Sequence, residues 1–293
     1  MRFPQLLFFP ARIDMERERI EFIDVHSHVN FAAYADDYDA VLCRAHDAGV
    51  AVINVGTQID TSLRAVDLAN KYADVYAIIG LHPVHCDKSY HDKKELGEEG
   101  KGFVSRGEVF DQSTYKKMAL DSKVVAIGEC GLDYYRAETD SKYKQKENFI
   151  AQIALANEIE KPLMLHIRDA YDDAFEIIKS EAKVRGNVHF FAGNKEQAKR
   201  FLELGFTLSF TGVITFTRDC DEIVKYVPLS QILSETDSPY VTPVPFRGKR
   251  NEPAYVVEVV NKISEIKSLN LEDTKKQLLK NAAALFNIPF GVD

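Results

Sequence analysis

The chain lacks the usual marks of a secreted, membrane-bound or nucleic-acid-coating protein. Its 293 residues include only four cysteines, Cys43, Cys86, Cys130 and Cys220, and no two form a CxxC pair. That spacing excludes a zinc ribbon and a thioredoxin-like site, and it suits a reducing compartment better than a disulfide framework. No apolar run approaches the ~20 residues of a membrane span. Near the start, the apolar stretch Leu6–Phe9 is soon followed by Arg12, Asp14 and Glu16, too early for a signal-peptide core. Positive charge is also in deficit, with a formal net charge of −8, which argues against broad basic-face binding of nucleic acid. A soluble, cytoplasmic protein is expected.

What remains is an ordinary globular composition, 45% hydrophobic and 28% charged, which excludes disordered, collagen-like and coiled-coil chains. The length is enough for a full core and corresponds to two average domains or one large α/β barrel. Residues 1–19 read as an N-terminal extension, with 1–14 loosely attached or an over-called start, since Met15 just precedes the first patterned segment.

From residue 20 a rhythm sets in. Short β-branched runs recur at Ile20–Val25, Val50–Val55, Tyr76–Leu81, Val124–Gly128, Pro162–Ile167, Asn187–Phe191, Phe206–Phe210 and Gln231–Glu235. Most are apolar on both faces, as parallel strands covered on both sides must be. Amphipathic stretches lie between them, with Phe149, Ile153 and Ala156 on one helical face and Val256, Val259, Val260 and Ile263 on another. Eight repeats of strand and helix predict a single-domain α/β fold, a (β/α)8 TIM barrel over 20–293, rather than an open doubly wound sheet. Residues 86–112 break the rhythm. They are charged and poor in apolar side chains, and read as a surface insertion in the third β-to-α loop.

Reactive residues should then collect at the carboxyl ends of strands. Strand one ends in Asp24-Val25-His26-Ser27-His28, and residues two apart on a strand share a face. Two adjacent imidazoles make half of a transition-metal site. Strand four ends in Gly128-Glu129-Cys130-Gly131, a carboxylate between glycines. Strands five and six carry His166 and His189 in apolar surroundings, and strand eight ends in Glu235-Thr236-Asp237. A lone buried histidine is usually just hydrogen-bonded. Four imidazoles and two carboxylates at one barrel end suit zinc, manganese, iron or nickel rather than calcium. Six ligands exceed one tetrahedral zinc, so two ions about 3.5–4 Å apart, with Glu129 between them, fit better.

At this point DVHSHVN, GLHP, VVAIGECGLDYY, PLMLHIRDA, VHFFAG, ETDSPY and the RNEP of Arg250–Pro253 resemble, in order and spacing, the TatD family of metal-dependent hydrolases and deoxyribonucleases. The resemblance covers about residues 20–288. It implies that His26, His28 and Asp237 hold one divalent ion and His166 and His189 a second, with Glu129 as the bridge. It implies zinc, manganese or magnesium as the cofactor, and Asp237 as the group that takes the proton of the attacking water. No lysine stands at the end of strand four to serve as a carbamylated bridge, which separates the chain from dihydroorotase- or urease-like branches. Two departures stand out. Phe190-Phe191-Ala192-Gly193 replaces the family's Cys-Phe-Thr-Gly or Ser-Phe-Asp-Gly, removing a polar group beside His189. The family's His-Pro-His becomes His82-Pro83-Val84-His85, so only His82 carries over as a substrate-binding residue.

Counter-charges for a phosphate chain are available in Arg168, two residues past His166, and in Arg247, Lys249 and Arg250 after strand eight. Tyr134, Tyr135, Phe190 and Phe216 near strand ends could stack bases or simply pack the rim. His46, His85 and His91 read as surface residues, and Gly80 and Gly128 as backbone requirements. The expected activity is metal-dependent phosphodiester hydrolysis, a 3'-5' exonuclease on DNA, with DNA as the partner and no membrane. Its rivals are hydrolysis of a non-phosphate ester or amide, such as an aminoacyl-tRNA or small metabolite, and metal binding without catalysis.

Overall fold

The computed structural model describes residues 20–88, 90, 91, 103, 104, 106–135 and 137–289. The expected extension over 1–19 and residues 92–102 of the expected insertion lie outside them.

Each of the eight expected runs forms a strand. They are β1 (Phe22–Ser27), β2 (Val50–Val55), β3 (Val75–Ile79), β6 (Val124–Asp133), β7 (Leu163–Arg168), β8 (Gly186–Val188), β9 (Thr207–Phe210) and β10 (Ile232–Ser234). They pair in that order, all in parallel. A bridge between Ser27 and Ser238 joins the first strand to the segment after the last. The result is the (β/α)8 barrel, with helices such as Ile59–Lys71, Thr139–Ile159 and Val256–Lys267 in the crossovers. In the third connection β4 (Tyr90–His91) and β5 (Phe103–Val104) form a two-stranded antiparallel ribbon within the expected insertion.

Burial explains why the strands read as continuous apolar runs. All six residues of β2 and all ten of β6 are buried. Phe149, Ile153 and Ala156 of helix Thr139–Ile159 pack at zero exposure against the outside of the sheet. A second cluster draws Val25, Ile53, Ile78, Met164 and Leu233 together with Leu279 and Phe286 of helix Leu271–Phe286. Strands so far apart in the sheet order meet only through the barrel interior.

Two strand boundaries differ from expectation in a way that matters. β1 runs on through Ser27 because Ser27 still pairs with Asn54 of β2. β6 continues past Gly128 to Asp133, pairing with β7 all the way. In each the register slips, between Asp24 and Ser27 and between Ile127 and Cys130, and a local slip re-aims side chains. His26 and Glu129 sit inside these slips. Gly128 permits the second one: its φ is 157°, and a Cβ there would lie 2.5 Å from the Met164 carbonyl oxygen.

Candidate metal centre

Glu129 is the hub of the mouth. Its Oε1 lies 2.9 Å from His166 Nδ1, 3.0 Å from His189 Nε2 and 3.3 Å from His82 Nε2. Its Oε2 lies 3.3 Å from His26 Nε2 and 3.8 Å from His28 Nε2. Asp237 Oδ1 completes one side, 3.5 Å from His28 Nε2 and 3.9 Å from His26 Nε2. All of these residues except the half-buried His166 are buried, and the Asp237 carboxylate is the most open of the acids. Three ligand sets result: His26, His28 and Asp237; His26, Glu129 and His189; and His82, Glu129 and His166.

The chemistry of this donor set calls for cations. The His26 and His28 Nε2 atoms face each other at 3.2 Å, and His26 Nδ1 is buried with no hydrogen-bond partner. Burial lowers the pKa of His26 to about 3 and that of His82 below its usual value, so both rings are neutral donors of a lone pair. Burial also opposes charge on His166 and His189. For His166, hydrogen bonds to Asp133 and Glu129 outweigh it and raise the pKa to about 9. For His189, the charges of Glu129 and Glu235 hold it well above the ordinary range. Burial likewise resists ionisation of Glu129, yet His82, His189 and His26 hold its carboxyl well below the usual range. The pocket is therefore built to take up positive charge.

A ring of acids behind the ligands orients them, and the motif reading assigned none of these a role. Asp133 Oδ2 lies 3.0 Å from His166 Nε2, leaving Nδ1 turned to Glu129. Glu235 Oε1 lies 3.4 Å from His189 Nδ1 and also accepts from the Phe190 amide at 2.6 Å. Asp24 accepts from the Thr236 amide and hydroxyl and from the His26 amide, tying β1 to the segment that carries Asp237. Burial keeps the Asp24 carboxyl well above its ordinary pKa despite these bonds. The available signal was an acid inside an otherwise apolar strand, which a chain buries only with partners. Asp237 itself sits at φ 54°, held by its amide on the His26 carbonyl at 2.9 Å. Strain of this kind is characteristic of functional sites.

The structure places the remaining candidates as follows. Arg168, at the end of β7, is exposed and lies over the Tyr135 ring, 3.7 Å from its centroid. Arg247 is exposed, donates to the Thr242 carbonyl and lies 4.0 Å from the Phe216 ring centroid. Arg250 differs from expectation. It is bonded to both carboxylate oxygens of Asp37, at 3.0 and 2.6 Å, and to the Ala33 carbonyl, over the ring of Tyr34. Its guanidinium clamps the last loop to the first, because the RNEP turn sits against the segment that follows His28. Asn251 and Glu252 continue the clamp through the Thr236 and Tyr240 carbonyls and Arg44. His85 is buried rather than on the surface, and His46 is half-buried with Nδ1 2.8 Å from Asp74. The His91 side chain lies outside the described residues.

The family model for TatD related DNase matches residues 23–287. The chain belongs to the TatD family. It is 39% identical over 270 residues to the uncharacterized metal-dependent hydrolase YabD of Bacillus subtilis (strain 168), covering 90% of this chain and 98% of that protein. It is 34% identical over 275 residues to the uncharacterized metal-dependent hydrolase YcfH of Escherichia coli (strain K12), covering 91% and 96%. Among solved structures it superposes on YjjV, the TatD homologue of Escherichia coli K12, with a TM-score of 0.77, 29% identity and coverage of 92% and 99%. As a TatD-family protein it is a metal-dependent hydrolase whose buried His, Glu and Asp groups can bind metal. Among the described residues, no helix is long and apolar enough to cross a membrane.

Proposed function

We propose that this TatD-family hydrolase cleaves phosphodiesters, with DNA as substrate, using two divalent ions, zinc, manganese or magnesium. The observation that carries the reading is the Glu129 hub, with five imidazoles around one carboxylate and the more open Asp237 at its edge. His26, His28 and Asp237 would hold one ion and His166 and His189 the other, sharing Glu129. His82, 3.3 Å from Glu129, would either join the second set or meet the substrate. Bound divalent ions supply Lewis acidity toward water and phosphoryl oxygen.

The remaining steps belong to side chains. Asp237 orients the attacking water and accepts its proton, being the acid nearest solvent. Asp133 fixes the tautomer of His166 by a hydrogen bond, and the Glu235 charge 3.4 Å from His189 Nδ1 favours the proton on that nitrogen, so each ring keeps one nitrogen lone pair aimed inward. Arg168 and Arg247 meet phosphate oxygens on either side of the mouth. The family's description as DNase-related supports DNA over a carboxylic ester or amide. End-directed cleavage in the 3'-5' sense is the finer part of the same proposal.

The test is metal-stripped protein reloaded with one ion at a time and offered labelled single- and double-stranded DNA, RNA, and a carboxylic ester. Cleavage of DNA that Asp237→Asn abolishes, with the melting curve preserved, supports the proposal. Ester hydrolysis without phosphodiester hydrolysis, or no DNA cleavage with any ion, overturns it.

A further inference from the structure

Two arginines at the mouth differ from two of the other ring-stacked arginines of the barrel, while Arg64 over Tyr38 in helix Ile59–Lys71 also has no ion-pair partner among the described residues. Arg250 and Arg200 lie over Tyr34 and Phe175, but both are neutralised, by Asp37 and by Asp172 and Glu176. Arg168 and Arg247 lie over Tyr135 and Phe216, and among the described residues neither has an ion-pair partner. Both arginines are exposed, and Tyr135 and Phe216 are exposed at 38% and 43%. An exposed guanidinium stacked on an exposed ring is a flat, cationic π-surface, a combination that suits a base with its phosphate.

The two pairs stand at separate strand ends of the barrel mouth. Tyr135 and Arg168 follow β6 and β7, the fourth and fifth barrel strands, and Phe216 and Arg247 follow β9 and β10, the seventh and eighth. Each pair is also tied to the centre. Asp133 holds the Tyr135 amide with Oδ1 and His166 Nε2 with Oδ2, both at 3.0 Å. On the other side the Val244 amide bonds Thr215 Oγ1 at 2.9 Å, suturing the loop of Phe216 to the loop that runs from Asp237 to Arg247. A groove of about 690 Å³ lined by Tyr134 and Asp169, the chain neighbours of the first pair, opens alongside. Of the carboxylates in its lining, Asp172 is paired with Arg200 and Asp173 with Lys146.

We propose that Arg168–Tyr135 and Arg247–Phe216 are two stacking platforms that hold unpaired nucleobases on either side of the linkage cut at the Glu129 hub. The inference rests on the phosphodiesterase reading and assigns to it a base-dependent grip on single-stranded polynucleotide. A paired duplex has its base faces stacked inside and must fray to use the platforms.

The chain contains no tryptophan, so Tyr135→Trp and Phe216→Trp each create a single fluorescent reporter. In a metal-loaded Asp237→Asn background, a short oligothymidylate quenches both reporters, and an abasic oligomer of equal length quenches neither. In the otherwise intact enzyme, Tyr135→Ala and Phe216→Ala each raise KM for the oligothymidylate roughly tenfold and leave KM for the abasic oligomer unchanged. An oligouridylate arm reads whether the platforms accept RNA bases, and quenching by it supports them equally. Equal quenching by base-bearing and abasic oligomers, or an unmoved KM with cleavage intact, overturns the platforms while leaving the phosphodiesterase reading standing. Base-dependent quenching in a protein that hydrolyses no phosphodiester supports the platforms and overturns that reading instead.

Discussion

The Glu235 carboxylate lies 3.4 Å from His189 Nδ1 and is itself held by the Ser209 hydroxyl at 2.6 Å. Ser209 in turn accepts from Asn187 at 2.7 Å, and Asn187 accepts from Thr207 at 2.9 Å, so a buried polar chain runs through the barrel to one ligand ring. Glu235→Gln keeps the volume but removes the charge that fixes the His189 tautomer. If two ions bind as proposed, the affinity for one should fall roughly 10–100-fold while the other is unchanged. Metal titration with competing chelators reads both constants, and an equal fall in both would show that Glu235 supports the whole centre rather than His189.

Arg250 was the natural candidate for a phosphate contact, and the structure commits it to Asp37, the Ala33 carbonyl and the Tyr34 ring. Arg250→Ala should therefore act on stability. The pair is partly exposed, so about 1 kcal/mol is expected, or roughly 2–4 °C in Tm for a large domain. The salt dependence of DNA binding should stay as it is. A flatter salt slope with unchanged Tm would return Arg250 to the substrate.

Arg168 carries the opposite expectation. It is exposed, lacks an ion-pair partner among the described residues, and sits two residues from His166. Removing one phosphate contact lowers the slope of log affinity against log salt by about 0.7 for a single strand. Arg168→Ala should show that change with Tm preserved. An unaltered slope would mean that the guanidinium serves only the Tyr135 ring.

The barrel was legible because its strands are buried on both faces and so read as unbroken apolar runs, with ligands placed where those runs stop. His26, His28, Glu129, His166, His189 and Asp237 stood out as polar interruptions. Their supporters were harder to see. Asp24, Asp133 and Glu235 sit in the same motifs, but what each bonds depends on the register slips in β1 and β6 and on the chain's path after β10. The Arg44–Glu252 and Arg250–Asp37 pairs join residues 208 and 213 apart in sequence. Nothing local announces a contact across that distance. His85 escaped for a related reason: a polar residue in a charged stretch reads as solvent-facing, yet the turn Pro83–His85 folds it under the third loop.

That third loop is pinned by Glu108, whose titration offers a measurement independent of the metal centre. Glu108 accepts from the Ile59 amide at 3.2 Å and the Tyr115 hydroxyl at 3.3 Å, and its own amide bonds the His85 carbonyl at 2.8 Å. Burial raises its pKa above the usual carboxylate value. The two hydrogen bonds and Arg106 pull the other way, and Asp60 adds to the rise. The folded protein thus keeps this proton at pH values where the unfolded chain has lost it. The linked stability is fully present below the ordinary carboxylate pKa and is lost as pH climbs through the raised one. Glu108→Gln keeps an acceptor for both donors and never ionises, so its Tm relative to the parent protein should rise from pH 4 to pH 7. Thermal melts of metal-free protein across that range decide the matter: a Tm difference that stays constant with pH would mean that Glu108 ionises as freely in the folded loop as in water.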